Sequence, residues 1–467
     1  MAQSRRDFLR TSACALGGVA MASSFDTFRA VQALTPQAAT DYRALVCVFL
    51  NGGNDGNNMF VDLNQITTYN NVRSADGLAL SNLLQVSPTT GGSFGFHTNM
   101  VEMQTLFNQG KLAVLCNNGP LVEPLTRTTY QNGTGKKPLQ LFSHSDQVGL
   151  FQTAIANVAS QTGWGGRLAD RIALLNGVAT FPQNVSIAGV NLFLTGVDTR
   201  QLAVADSGTS LANVLQLNLS GTASEQANRL VSFNELRTFD NNFKLVKAAS
   251  DTRSSSIQTD NALSSVNPTL STVFPTNTSI GRQLKQVALL IKASTDALAG
   301  INMKRQIFFV QLGGFDTHSN QVGGQGSLLT QLSQAINAFF QATGEPGMPG
   351  QDKVTLFTMS DFGRTLDPAG TTTAAVGSDH AWGNHHLIVG GAVLGHAVYG
   401  LYPNLALNGP DDADSGSGAR GRWIPTTSVE QYAATLATWY GLSSADLTAV
   451  FPLIGRFSTP NLGFMAP

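Results

Sequence analysis

Four apolar runs of strand length constrain this chain most, because each stops at a loop of small polar residues. Arg43 to Leu50 runs into Asn51-Gly52-Gly53-Asn54-Asp55-Gly56, and Lys111 to Cys116 into Asn117-Asn118-Gly119. Gln306 to Leu312 precedes Gly313-Gly314-Phe315-Asp316, and Val354 to Met359 precedes Ser360-Asp361-Phe362-Gly363. Apolar runs without alternation mark strands buried on both faces, as in a parallel sheet. Helix-period segments lie between them: Met100 to Asn108, Trp164 to Asn176, Gly281 to Leu298 and Ser327 to Thr343. Thr427-Ser428-Val429-Glu430 reads as a capping box that opens a last helix to Tyr440. Strand then helix, repeated, predicts an α/β fold with a doubly wound, mostly parallel sheet. Such sheets bind ligands beyond the carboxyl ends of their strands. The loops carrying Asp55, Asp316 and Asp361 are therefore expected to converge.

The length of 467 residues allows one to three domains, and the repeated strand–helix rhythm favours one, spanning residues 34–467. Residues 198–280 interrupt it. They are rich in Ser, Thr, Asn and Gln, and read as a helical insertion with a helix from Ser224 to Lys247 and a flexible stretch near 254–278. With 28 Lys+Arg against 29 Asp+Glu, no basic surface is available for nucleic-acid phosphates. No apolar stretch approaches the roughly 20 residues of a membrane span. Residues 1–33 read as an export address: Arg5-Arg6-Asp7-Phe8-Leu9, a weakly apolar stretch from Ala13 to Ala22, and a small-residue cleavage site at Val31-Gln32-Ala33. That is a twin-arginine signal, which predicts a periplasmic or extracellular protein that folds before export. Cys47 and Cys116 lie in separate apolar runs and are expected to be buried free thiols.

Six of the seven histidines, His144, His318, His380, His385, His386 and His396, fall in or close to the polar loops. Asp316-Thr317-His318 follows one strand, Asp361 another, and Asp379-His380 sits in Gly377-Ser378-Asp379-His380-Ala381-Trp382. Carboxylate and imidazole donors arriving from several loops suit one or two divalent ions such as Zn, Mn, Mg or Ca, since oxygen and nitrogen ligands must approach an ion from different directions. Asp55 is equally explained by turn chemistry, and Asp361 with Arg364 by an ion pair. Ser143-His144-Ser145-Asp146 precedes a helical stretch, where a hydroxyl is either activated for attack or used as an N-cap. Gly91-Gly92-Ser93-Phe94-Gly95 matches a nucleophile-elbow pattern but follows loop sequence, and Asp411-Asp412-Ala413-Asp414 lacks the terminal acid of a calcium loop.

Taken together, Phe49 to Gly56, Ser143-His144, Gly163 to Leu168, Gly313 to His318, Ser360 to Thr365 and Ser378 to His386 resemble the exported bacterial family known as domain of unknown function 1501. That family is similar to the alkaline phosphatase and sulfatase superfamily. The resemblance implies an alkaline-phosphatase-like fold, divalent metals at the strand ends and transfer of a phosphoryl or sulfuryl group. It carries the superfamily's metal ligands onto Asp55, Asp316, His318, Asp361 and His380, and its nucleophile onto Ser143 or Ser145. Phe362 stands where the superfamily usually has a histidine, which implies either the loss of one ion or its replacement as a ligand by Asp379 and His380.

The resulting expectation is an exported metal-dependent hydrolase of phosphate or sulfate esters, acting on a small-molecule or polymer substrate. Asp55, Asp316, His318, Asp361, Asp379 and His380 are its expected metal ligands. Ser143, His144, Ser145 and Arg364 are its expected catalytic groups, with Arg364 steadying developing charge. The alternative is a non-catalytic binding protein of the same fold that recognises an extracellular polymer or an envelope protein partner.

Overall fold

Alternate side chains of the first apolar run enter two different cores. Leu45, Cys47 and Phe49 pack with Trp164, Leu168, Tyr432 and Leu436 on one side. Val46, Val48 and Leu50 pack with Leu284, Ile291, Leu332 and Ile336 on the other. A strand with helices on both faces has no solvent side, and this is why the run shows no polar alternation. The computed structural model describes residues 39–177, 181–211, 221–238, 268–295, 301–369 and 376–467, with residues 243, 246, 247, 250, 257, 259–261 and 266 between them. The export signal and its cleavage site lie outside the described residues, as do residues 254–256, 258, 262–265 and 267 of the stretch near 254–278.

Among the described residues the main sheet has nine strands: β1 (Arg43–Asn51), β2 (Leu112–Gly119), β3 (Asn184–Ser186), β4 (Gln201–Ala203), β5 (Arg305–Gly313), β6 (Val354–Ser360), β7 (Asn384–Gly390), β8 (Ala397–Tyr399) and β9 (Thr427–Ser428). Their order is β8-β2-β7-β6-β1-β5-β3-β4, with β9 beside β2. All neighbours are parallel except β7, which runs against both β6 and β2. Register sets the site: Asn51 lies opposite Gly313 and Leu50 opposite Ser360, so three loops leave the sheet at one level. The reversal of β7 matters equally, since the loop before its first residue, carrying Asp379 and His380, lies at that same edge.

The layers on the two faces are built from α1 (Ile66–Arg73), α2 (Val101–Asn108), α3 (His144–Thr153), α4 (Trp164–Ile172), α6 (Ser279–Ser294), α7 (Gln321–Ala342) and α8 (Val429–Tyr440), while α5 (Ala223–Thr238) is largely exposed. The α7 helix starts six residues before the expected Ser327, through Gly323, Gly324 and Gly326, whose turn-like composition hid it. The capping box of α8 is also displaced: Ser428 caps Gln431, and Gln431 answers it, so Thr427 and Glu430 take no part. The segment read as an insertion supplies β4 to the main sheet before α5 begins. Cys47 and Cys116 are free and buried in opposite layers. No helix among the described residues is long and apolar enough to cross a membrane.

Candidate metal centre at the strand ends

The loop after β1 turns through two glycines, Gly52 at φ +113° and Gly53 at φ +79°. A side chain at Gly52 would collide with the backbone of Asp316, and one at Gly53 with the ring of Phe362. Glycine is therefore required twice, both for the left-handed backbone and for close approach. The loop is stitched to its neighbours by the Gly52 amide donating to Asp361 Oδ1 at 3.0 Å and the Asn54 amide donating to Ser360 Oγ at 2.9 Å.

Above these loops, three imidazoles face one carboxylate. Asp316 Oδ1 lies 3.0 Å from His318 Nε2, 3.4 Å from His144 Nε2 and 3.6 Å from His380 Nε2. Each ring is held from behind by its other nitrogen. His144 Nδ1 meets the buried carboxylate of Asp361 at 2.8 Å, His380 Nδ1 meets the carbonyl of Phe142 at 2.8 Å, and His318 Nδ1 lies 3.3 Å from Asp379 Oδ1. A carbonyl and a carboxylate only accept, so each Nδ1 carries its proton and each Nε2 is left with a lone pair. His318 Nε2 and His380 Nε2 are nevertheless only 3.0 Å apart. Two lone pairs at that distance repel, so a proton or a metal ion must lie among them.

The donor set fits a divalent metal. Ligand atoms of His144, Asp316 and His380 all lie within 4.8 Å of one another. His144 Nε2 is buried and hydrogen-bonded to nothing. Imidazoles whose far nitrogens are anchored by carboxylates and carbonyls are the usual form of zinc and related sites. Charge agrees. Burial would raise the Asp316 carboxyl, but its hydrogen bond and ion pair with Arg364, helped by His318 and His144, hold it below the usual range. Burial, with the Arg364 guanidinium and the imidazoles of His144 and His318 nearby, holds His380 below the ordinary imidazole value despite its bond to Phe142. Both shifts favour the forms that bind a metal.

Of the expected ligands, Asp316, His318 and His380 form the cluster, and His144, expected as a catalytic group, joins them there. Asp361 and Asp379 stand behind it as anchors, the latter also paired with Arg420 at 3.1 Å. Asp55 must be corrected. Both its oxygens are taken, by Arg73 at 2.6 and 3.2 Å, by the Asn57 amide at 3.0 Å and by Gln321. Arg73 is itself fully buried, so Asp55 is a neutralised structural group. Arg364 is corrected in the same way: its guanidinium is buried and donates to the carbonyls of Gly53 and Ser378 and to Asp316, which leaves it holding a ligand. His385 and His386 lie in β7, where burial pushes both down to about 3 and keeps them neutral.

Ser143 occupies the N-cap position of α3 yet its side chain makes no cap bond. Its Oγ donates instead to Asp146 Oδ2 at 2.6 Å and lies 3.3 Å from Ser145 Oγ. Two contributors, Phe142 and Gln147, left no trace in the sequence, and a third, Phe362, stood there only as a departure from the superfamily pattern. Phe142 is forced to φ +71°, a strained value for a bulky residue, while it presents its carbonyl to His380. Gln147 pins that loop by donating to the carbonyls of Leu139 and Gln140, each at 3.2 Å. Phe362 is fully buried and packs its ring 4.6 Å from His144 and 4.7 Å from His380.

No curated protein sequence matches the chain. Solved structures with a related fold include the sulfatase PsFucS1 from Pseudoalteromonas sp., at 9% identity and a TM-score of 0.32 over 91% of this chain and 70% of that one. A 2-O GAG sulfatase matches at 8% identity and a TM-score of 0.29 over 86% and 71%. The alkaline phosphatase of the Antarctic bacterium TAB5 matches at 10% identity and a TM-score of 0.21 over 75% and 91%. At such scores these likenesses carry no argument about the chemistry, which rests on the chain's own geometry. A family model described as protein of unknown function, DUF1501, matches residues 42–413, and the chain belongs to that family.

Proposed function

We propose that this protein is a metal-dependent hydrolase of phosphate or sulfate esters, with His144, Asp316, His318 and His380 as ligands of a single divalent ion. The observation that carries the reading is the convergence of three anchored Nε2 atoms on Asp316 Oδ1. A divalent ion, when bound, supplies Lewis-acid polarisation of an ester oxygen. Asp361, Asp379 and the Phe142 carbonyl hold the three imidazoles aimed at Asp316. Asp316 stays ionised because Arg364 lies against it. Ser143 is the attacking hydroxyl in this reading: its oxygen bonds to the phosphorus or sulfur as the bond to the alcohol oxygen breaks. Asp146 takes the hydroxyl proton and returns it to the leaving alcohol, and water then attacks the seryl ester to release phosphate or sulfate and restore Ser143. Asp316 and His318, each about half exposed, leave the cluster open to a substrate.

The test is to strip the purified protein with a chelator, reload it with single divalent ions and assay a panel of phosphate and sulfate monoesters. One ion per chain and turnover are expected, with both lost in His318→Ala. A protein that takes up no ion would sink the reading. We also propose export by the twin-arginine route, tested by a signal-reporter fusion in which Arg5→Lys with Arg6→Lys blocks translocation.

A further inference from the structure

We propose that the cavity beside α3 is the subsite for the alcohol part of the ester, and that it takes a compact apolar ring about the size of phenyl. This rests on the hydrolase reading. The cavity has a volume of about 210 Å³, walled by Leu139, Leu150, Val158 and Leu192, with Ser145 and Asp146 from the first turn of α3. An apolar cavity of roughly 150 Å³ holds benzene, so this one holds a six-membered ring with a small substituent. Val158 and Leu139 are 52% and 39% exposed, apolar side chains that the fold leaves to water.

Gly149 supplies the independent observation. It lies inside α3 and lines the cavity. A glycine inside a helix costs about 0.5–1 kcal/mol relative to alanine. Packing normally explains such a cost, as in the neighbouring α4, where a side chain at Gly165 would meet the ring of Phe193 and one at Gly166 the backbone of Thr195. Nothing lies within 4 Å of the position a Gly149 side chain would take. Neither packing nor backbone conformation demands this glycine, and what its absent side chain preserves is open cavity. The cavity wall also shares hydrogen bonds with the proposed nucleophile. Ser145, on its wall, lies 3.3 Å from Ser143 Oγ, and both hydroxyls contact Asp146. His144, between them in sequence, faces the cluster. An ester whose phosphoryl or sulfuryl group sits at the histidines thus has its alcohol directed along α3.

Gly149→Phe fills the space, and Gly149→Ala controls for backbone effects. Phenol is the binding probe, followed through the methyl resonances of Leu139, Val158 and Leu192 in the full-length mature protein. Wild type and Gly149→Ala should show saturable shifts that Gly149→Phe abolishes. With ion-loaded protein, Gly149→Phe should raise KM for 4-nitrophenyl phosphate and sulfate by about tenfold or more, the loss expected when a ring is no longer buried, while methyl phosphate is unaffected. Absence of phenol binding, or binding that Gly149→Phe does not block, would overturn the cavity assignment while ester hydrolysis stands. Phenol bound there with no ester hydrolysed would overturn the hydrolase reading and leave the cavity an alcohol-binding site.

Discussion

Each imidazole of the cluster is oriented by an acceptor of a different origin: Asp361 after β6, Asp379 before β7, and a main-chain carbonyl at the strained Phe142. Replacing such an anchor typically lowers metal affinity about 10–100-fold without removing a ligand. Asp361→Asn should do this, because an amide can present N–H to His144 Nδ1 and put the proton on the wrong nitrogen. Calorimetric titration with Zn²⁺ checks it, and unchanged affinity in a folded variant refutes the anchoring role. Asp55→Asn should behave oppositely. It leaves the Arg73 guanidinium buried without its counter-charge, a loss of about 3–5 kcal/mol. Denaturant titration should show that loss, whereas protein that remains folded should still bind one ion. The contrast separates a structural carboxylate from those that serve the cluster.

The α8 helix carries a pH dependence of its own. Glu430 lies in its first turn, 2% exposed, with Oε1 accepting the Leu453 amide at 3.1 Å. Burial raises its carboxyl from the ordinary 4.5 to about 8, against the opposing effects of that amide, Arg167 and Arg456. A folded-state value above the unfolded one means that the native chain holds a proton the unfolded chain has released. The native state is favoured fully below about 4.5 and loses this contribution as pH rises through about 8. Glu430→Gln keeps an acceptor for Leu453 and cannot ionise. Its stability relative to wild type should therefore climb between pH 5 and pH 8. Denaturation midpoints measured across that range check the sign, and a flat difference would refute it.

At the scale of the molecule, the proposed ligands come from α3, from the loop after β5 and from the loop before β7, more than 230 residues apart at their extremes. They meet only when the sheet is assembled, so an ion bound there stabilises the folded state alone. An ion at 100 times its dissociation constant adds about 2.7 kcal/mol. The melting temperature of the chelator-treated protein should rise with divalent loading, and His380→Ala should erase the rise. An equal rise in His380→Ala would locate the ion elsewhere.

Periodicity and turn composition are local, and they were enough to establish the four principal strands, the doubly wound architecture and the shared edge on which the polar loops end. They also picked out Asp316 and His318 just after one buried strand and His380 in the polar loop before another, because acids and imidazoles at strand ends have few structural uses. Which carboxylates stay open was decided only by tertiary contact. Asp55 and Asp361 look alike in sequence, each in a glycine-containing loop at a strand end. One is neutralised by Arg73 from α1 and Gln321 from α7, while the other meets His144 from α3. The reversed direction of β7 is equally invisible to a pattern of burial, since an apolar strand reads the same either way. A side chain's charge and hydrogen-bonding capacity are written in the chain, but whether they are spent inside the fold or left facing a ligand depends on neighbours hundreds of residues distant.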